Sequence, residues 1–306
     1  MSAVDAPSKE DSVVDISGVP YYNSGVPDYW TETVEAHTNL LDLRLSDVWR
    51  YRDLVMMFVR RDFIANYKQT ILGPLWFVAQ PLITTLTYYI IFGNIAKLST
   101  DGTPGVVFYM AGTTIWGYFS QTLTSVSTVF TANAHIFGKV YFPRLTMPLS
   151  IVISNLVRFG IQFALFLVFW AYFLFSSHAL HPHWSAILLT PVLLVLMGLL
   201  ALGLGIIFSA LTTKYRDLAM LLTFGVQLLV YAAPVIYPLS SVPAQYKWAI
   251  LANPITAILE TFRFAFLGSG TFSWAQLGYS AGITLVILAL GIIIFNKTEK
   301  SFTDTV

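Results

Sequence analysis

Five stretches of the chain, residues 69–96, 102–138, 159–213, 218–246 and 264–296, contain no Lys, Arg, Asp or Glu. A helix that crosses the hydrocarbon core of a bilayer needs about 20 apolar residues at about 1.5 Å each. The 55-residue stretch holds two such segments, divided at His178–His183 around Pro182. The expected spans are six helices near 72–96, 106–132, 147–175, 187–211, 218–236 and 274–295. Their apolarity is continuous and does not alternate over about ten residues, which argues against strands of a membrane barrel. With 11% charged and 56% hydrophobic residues, the chain has too little polar surface for a soluble enzyme, and far too many apolar groups for a disordered chain. The lack of cysteine removes a disulfide scaffold and Cys-ligated zinc, and no metal site is expected. A net charge of +1 argues against nucleic acid as the partner.

Alternate loops differ in basic residues. One side carries seven in residues 1–68, then Lys139, Arg144, Lys214, Arg216, Lys297 and Lys300; the other carries Lys97, Lys247 and Arg263. The positive-inside rule places both termini in the cytoplasm. Residues 1–36 hold seven acids against Lys9, with no basic n-region or apolar h-region. The expectation is an acidic, mostly flexible cytoplasmic tail over 1–45, not a signal peptide.

From Ser46, a plausible N-cap, the pattern becomes amphipathic. Val48, Tyr51, Leu54, Val55, Phe58 and Val59 share one side, while Arg50, Asp53, Arg60 and Arg61 share the other. A helix over 46–68 of this kind lies in the headgroup layer, either as a plain anchor or as a lever moved by a partner protein. Six-span architecture over 69–306 then follows. The loop Ala134–Arg144 holds Phe137, Lys139, Tyr141, Phe142, Pro143 and Arg144; exposed aromatics among cations fit docking into another protein or anchoring at the membrane surface.

Residues 237–273 are punctuated by prolines. Asn253-Pro254 reads as an N-cap followed by the first helical residue, and the helix 254–267 is about 21 Å long, too short to cross. An apolar but short helix implies a re-entrant or surface-lying hairpin between spans five and six, either a passive cap or an outer gate. Pro234, Tyr237, Pro238, Asn253, Pro254, Glu260 and Arg263 are its candidate residues, the last two being an ion pair at i, i+3.

Polar and aromatic residues inside the spans sketch a path for a sugar chain: Phe77, Gln80, Thr84 and Tyr88; Tyr109, Trp116 and Ser120; Gln227 and Tyr231. Rings stack on sugar C–H groups and hydroxyls seek hydrogen bonds, although the same side chains also join helices. Arg158 stands about ten residues into the third span, where a charge is costly unless paired. Glu260 or an anionic lipid-linked substrate are its candidate partners.

No Gly-x-x-x-x-Gly-Lys-Ser/Thr loop occurs, and the six spans hold no Asp or Glu. Energy is therefore expected from a separate subunit, not from ion coupling; an ion-coupled carrier or a facilitated channel stays open at this point.

Arg60-Arg61-Asp62-Phe63 through Tyr67-Lys68-Gln69-Thr70-Ile71-Leu72-Gly73-Pro74-Leu75-Trp76 resembles the start of polysaccharide-exporting permeases of the second ABC exporter type. So do Lys139–Arg144, Lys214-Tyr215-Arg216-Asp217 and Pro234-Val235-Ile236-Tyr237-Pro238. The resemblance, which runs over about 40–300 in order and spacing, implies a homodimer of six-span permeases bound to two ATP-binding subunits that carry the MgATP. It implies export of undecaprenyl-diphosphate-linked glycan across the bacterial inner membrane, O-antigen before capsule or teichoic acid, with small-molecule ABC export as a further alternative. Under it, Arg50 and the loop Phe137–Arg144 meet the ATP-binding subunits, Arg60 and Arg61 meet the lipid diphosphate, and the external hairpin supplies gate helices.

Overall fold

The computed structural model describes residues 49–67, 73–137, 142–176, 179–215 and 217–303, together with 13–14 and 20–21. Residues 1–39 and 40–306 are separate compact units. In the first, β1 (Val13–Val14) and β2 (Pro20–Tyr21) pair antiparallel, Val13 opposite Tyr21. This short ladder is a feature that the composition of the tail did not signal.

The second unit is helical. α1 (Arg52–Tyr67) leads to α2 (Trp76–Tyr88), which continues as a π-helical segment over Tyr89–Ile95. α3 (Gly105–Ser127) is followed by the single turns α4 (Val129–Ala132) and α5 (Ala134–Phe137), then the long α6 (Thr146–Ser176). The turn α7 (Trp184–Ile187) precedes α8 (Thr190–Lys214), α9 (Asp217–Ala232), α10 (Ala244–Ala252), α11 (Pro254–Leu267) and α12 (Trp274–Thr303).

A helix stands at each of the six expected spans, with bounds shifted for local reasons. α3 stops at Ser127, not 132, where the Ser127 and Thr128 hydroxyls donate to the carbonyl of Thr124 and compete with the helical ladder. α9 stops at Ala232, four residues short of the expected end, just before Pro234, a residue that disfavours helical backbone at the position before it. Ser46 lies outside the described residues; the helical backbone is described from residue 49.

Among the described residues four segments are long and apolar enough to cross a membrane: Trp76–Ile95, Thr146–Ser176, Trp184–Lys214 and Trp274–Lys297. α3 has the length, 23 residues, but its Thr and Ser content dilutes its apolarity. α9, at 16 residues, spans about 24 Å and falls short of a core of about 30 Å. Only 6% of the Trp76–Ile95 segment is buried inside the chain, and Ile83, Leu86, Ile90 and Ile91 are exposed. Apolar surface on that scale belongs against lipid or against another protein surface.

Packing runs outward from α3 and α8. α8 packs on α3 and α12, and α6 packs on α3 and α1. Close backbone approach needs small residues: a Cβ on Gly203 of α8 would lie 2.9 Å from Leu288 Cα of α12. An aromatic cluster ties α6 to α11, with Phe163 and Phe166 against Phe262 and Phe266. The indole of Trp170 donates to the Phe266 carbonyl at 2.7 Å.

Candidate functional site

α11 has the bounds expected from Asn253-Pro254. The Asn253 side chain accepts from the Ile255 N–H at 3.1 Å, and Gly268 closes the helix in the left-handed region at φ 74°. α10 and α11 meet at a bend of 100°. The two arms differ: α10 is exposed along nearly its whole length, whereas every residue of α11 from Ile255 to Leu267 is buried except Phe264. The hairpin thus lies on the surface by its first arm alone. Its second arm sinks among α3, α7, α8 and α12, and its apolar sequence follows from that burial.

Arg263 projects from α11 to the end of α9 and is 1% exposed. Its guanidinium donates to the carbonyls of Pro234 (2.5 Å), Val235 (2.6 Å) and Tyr237 (3.2 Å). It also lies 3.9 Å from the centre of the Phe108 ring and 3.6 Å from Glu260 Oε1. These carbonyls follow the last turn of α9, so a cation there meets the negative end of a helix. Glu260 Oε2 in turn accepts from the Thr271 N–H at 3.1 Å, which fixes the segment leaving α11.

The remaining gate candidates join the same junction. The Tyr237 hydroxyl donates to the Tyr231 carbonyl at 2.9 Å; burial raises its pKa above the ordinary phenol value and Arg263 offsets part of that, so it is a protonated donor at neutral pH. Asn253 Nδ2 donates to the Ala232 carbonyl at 3.2 Å, the Pro238 carbonyl accepts from Ser241, and the Pro254 carbonyl accepts from Ser280 of α12. Missed from sequence were Gly112 and Thr271: a Cβ on Gly112 would lie 2.5 Å from the Val235 carbonyl oxygen. A glycine inside an otherwise good helix was the available signal for the first.

At the other end of the bundle α1 packs its Val55, Phe58 and Val59 face inward, with Arg60 and Arg61 exposed. Phe58 contacts Phe142, ring centres 5.8 Å apart, inside a cluster with Val129 and Met147. Phe142 is therefore 5% exposed, a correction to its reading as an exposed docking aromatic; burying it against α1 is worth more than leaving it in water. Lys139 and Tyr141 lie outside the described residues, as does the Phe137 side chain. Pro143 accepts from the Thr146 N–H at 2.9 Å at the start of α6, and Arg144 is half-buried. Arg50 is exposed beside Trp49.

Arg158 does not pair with Glu260, whose cationic neighbour is Arg263. It borders a cavity of about 290 Å³ between α1, α3, α4 and α6, shared with Arg61, Asp62, Ser154 and Asn155. Arg61 binds Asp62 at 2.8 Å and sits 4.8 Å from the centre of the Phe58 ring.

The expected path residues separate into three groups. Gln80, Gln227 and Tyr231 are exposed. Thr84, Tyr88, Trp116 and Ser120 are half-buried, and the neighbouring Thr85 meets Thr113 hydroxyl to hydroxyl at 3.4 Å. Tyr109 is fully buried near Arg263, and Phe77 stacks on Phe63 of α1 with ring centres 5.5 Å apart. Among the described residues no three His, Asp or Glu side chains converge as metal ligands do.

The ABC-2 type transporter family pattern matches residues 53–267. The O-antigen export system permease protein RfbA of Klebsiella pneumoniae is 30% identical over 253 residues, covering 82% of this chain and 94% of that protein. The protein of the same name from Myxococcus xanthus is 25% identical over 264 residues, 86% of this chain and 98% of the relative. The polysialic acid transport protein KpsM of Escherichia coli is 24% identical over 242 residues, 79% and 92% respectively.

Proposed function

Because the chain belongs to the ABC-2 type transporter family, we propose that it is the permease subunit of an ATP-driven exporter of lipid-linked polysaccharide, O-antigen first, in the bacterial inner membrane. The observation that carries this is the near end-to-end similarity to relatives named for O-antigen export, together with a chain that has no phosphate-binding loop of its own. The relative named for polysialic acid transport supports capsule export as the second reading, at lower identity and coverage.

In this reading two copies of the chain, each crossing six times with both termini cytoplasmic, assemble with two ATP-binding subunits. α3 and α9 count as the two remaining spans, α3 buried within the chain and the exposed face of α9 covered by the second copy. α1 lies in the cytoplasmic headgroup layer. Its Phe58–Phe142 contact joins it to the loop before α6, so that a push from MgATP-bound partners on Arg50 or on Phe137–Arg144 moves helix and loop as one body. Arg60 and Arg61 offer cations to the substrate diphosphate. The α10–α11 hairpin stands at the outer end, and the Arg263 junction transmits movement of α9 to it.

Deleting the chain tests the proposal. Lipid-linked glycan should accumulate on the cytoplasmic face while surface glycan disappears, and expression of the chain should restore export only in the presence of an ATP-binding subunit with intact nucleotide-binding residues. Normal surface glycan in the deletion strain overturns an essential export role.

A further inference from the structure

We infer that the cavity between α1, α3 and α6 binds the phosphate of an anionic lipid headgroup, with Arg61 at its mouth and Arg158 at its floor. The cavity, about 290 Å³, has three charged lining residues, Arg61, Asp62 and Arg158, an excess of one positive charge. The Arg61 and Asp62 side chains are 41% and 23% exposed and form the rim. Ser154 and Asn155, each 3% exposed, form the wall beside Arg158.

What marks the floor as a binding site is the set of groups left without a partner. Arg158 Nε, Asn155 Nδ2 and Ser154 Oγ are all buried and make no hydrogen bond among the described residues. Two are pure donors and the third can donate, and buried donors without acceptors are costly. Asp62, the nearby carboxylate, accepts two bonds from Arg61 at 2.9 and 2.8 Å and also acts on the charge of Arg158, so one carboxylate is shared between two guanidinium groups. The Phe77 ring lies 5.9 Å from the Arg158 guanidinium, at the outer limit of a cation–π contact. A phosphate diester oxygen carries the charge and the acceptor lone pairs that such a donor set lacks. The three side chains turn toward the cavity to meet it, because none of the donor atoms is open to it as they stand. Water would satisfy the donors but not the charge.

Depth agrees. α6 has 31 residues, about 46 Å, some 16 Å more than the bilayer core. Centred in the membrane, it puts the backbone of residue 158 roughly 10 Å below the α1-side edge of the core. Helical side chains lean toward the helix N-terminus, and a long Arg side chain then reaches back to within a few Å of the headgroup layer. α1, which supplies Arg61, closes the cavity from that layer. The inference rests on the membrane placement of α1 and not on the export reading: a resident phospholipid and the diphosphate of a lipid-linked substrate present the same chemistry.

The test uses the full chain in its native assembly, purified in detergent and examined by native mass spectrometry. The probes are phosphatidylglycerol, undecaprenyl diphosphate and inorganic phosphate. One lipid per chain should bind to the cavity, Arg158→Gln should weaken it about tenfold or more, and Arg158→Lys should retain part of the affinity. Asn155→Leu, which keeps the charge, should weaken it several-fold and serves if Arg158→Gln does not assemble. Displacement of phosphatidylglycerol by undecaprenyl diphosphate assigns the site to the substrate, and failure to displace it assigns a resident lipid; both uphold the proposal. Unchanged lipid binding in Arg158→Gln or Asn155→Leu overturns it, and so does saturation by inorganic phosphate without competition from either lipid. Loss of the export reading, seen as normal surface glycan in a deletion strain, leaves these outcomes as they stand.

Discussion

The guanidinium of Arg263, on a helix buried at one end of the bundle, donates to the carbonyl of Val235 at 2.6 Å, 28 residues earlier in the chain. That bond joins α11 to the end of α9, and with its neighbours to Pro234 and Tyr237 it makes one arginine the donor to three carbonyls of the turn. Removing it leaves three carbonyls and the Glu260 carboxylate to be satisfied by other means. Arg263→Met should cost about 3–5 kcal/mol, read as a clear drop in the temperature at which the detergent-solubilised assembly aggregates. Glu260→Gln keeps an acceptor for Thr271 and should cost distinctly less. Equal losses for the two variants would contradict the assignment of Arg263 as the centre of the junction.

Gly112 is the partner that makes this possible. A Cβ there would lie 2.5 Å from the Val235 oxygen and 2.9 Å from Arg263 Nη2, and backbone on one side leaves little to yield. Gly112→Ala should destabilise by about 1–3 kcal/mol through overpacking, in spite of the better helix propensity of alanine. Gly160 of α6 supplies the contrast, because no atom lies within 4 Å of its Cβ position. Gly160→Ala should be neutral or stabilise by up to about 1 kcal/mol. Thermal unfolding of the two variants side by side checks both signs.

Phe58 holds α1 to the bundle through Phe142, Val129 and Met147. Phe58→Ala should cost about 3–5 kcal/mol locally, and the loss should appear as faster hydrogen exchange in α1 with α8 and α12 unchanged. In the coupling role proposed for α1, ATPase activity of the assembly persists while export falls. Uniform loss of protection across all helices would show that α1 is part of the common core and not a separately hinged element.

The helices themselves were legible because lipid imposes a one-dimensional code. A charge-free run of sufficient length must hydrogen-bond its own backbone, so 147–175 and 274–295 anticipate α6 and the first turns of α12 closely. Asn253-Pro254 anticipates the start of α11 for an equally local reason, the cap. What sequence could not specify was the choice of tertiary partner. Arg158 and Arg263 are both arginines in apolar surroundings. The i, i+3 spacing already offered Glu260 to Arg263, 3.6 Å away on the same helix. What sequence left open was whether Arg158 competes for it, which its place beside Arg61 and Asp62 excludes. The burial of Phe142 is of the same kind: a phenylalanine between cations reads alike whether it faces solvent or the underside of α1.

Tyr109 offers the sharpest test among the residues expected to line a glycan path. Its ring is fully buried and packs edge-on to Phe108 with centres 5.5 Å apart, and its hydroxyl has no hydrogen-bond partner among the described residues. A buried hydroxyl without a partner carries a desolvation penalty, so Tyr109→Phe should leave stability unchanged or raise it by about 1 kcal/mol. Because the ring is buried against Phe108 and the Gly93 and Gly105 backbone and does not reach an exposed surface, export should be untouched. Tyr231 is 54% exposed on α9, and its carbonyl, not its ring, serves the junction through Tyr237. Tyr231→Ala should therefore preserve the folded assembly and reduce the amount of surface glycan. The reverse pattern, with export lost in Tyr109→Phe and kept in Tyr231→Ala, would place the conduit inside the α3 face and away from α9.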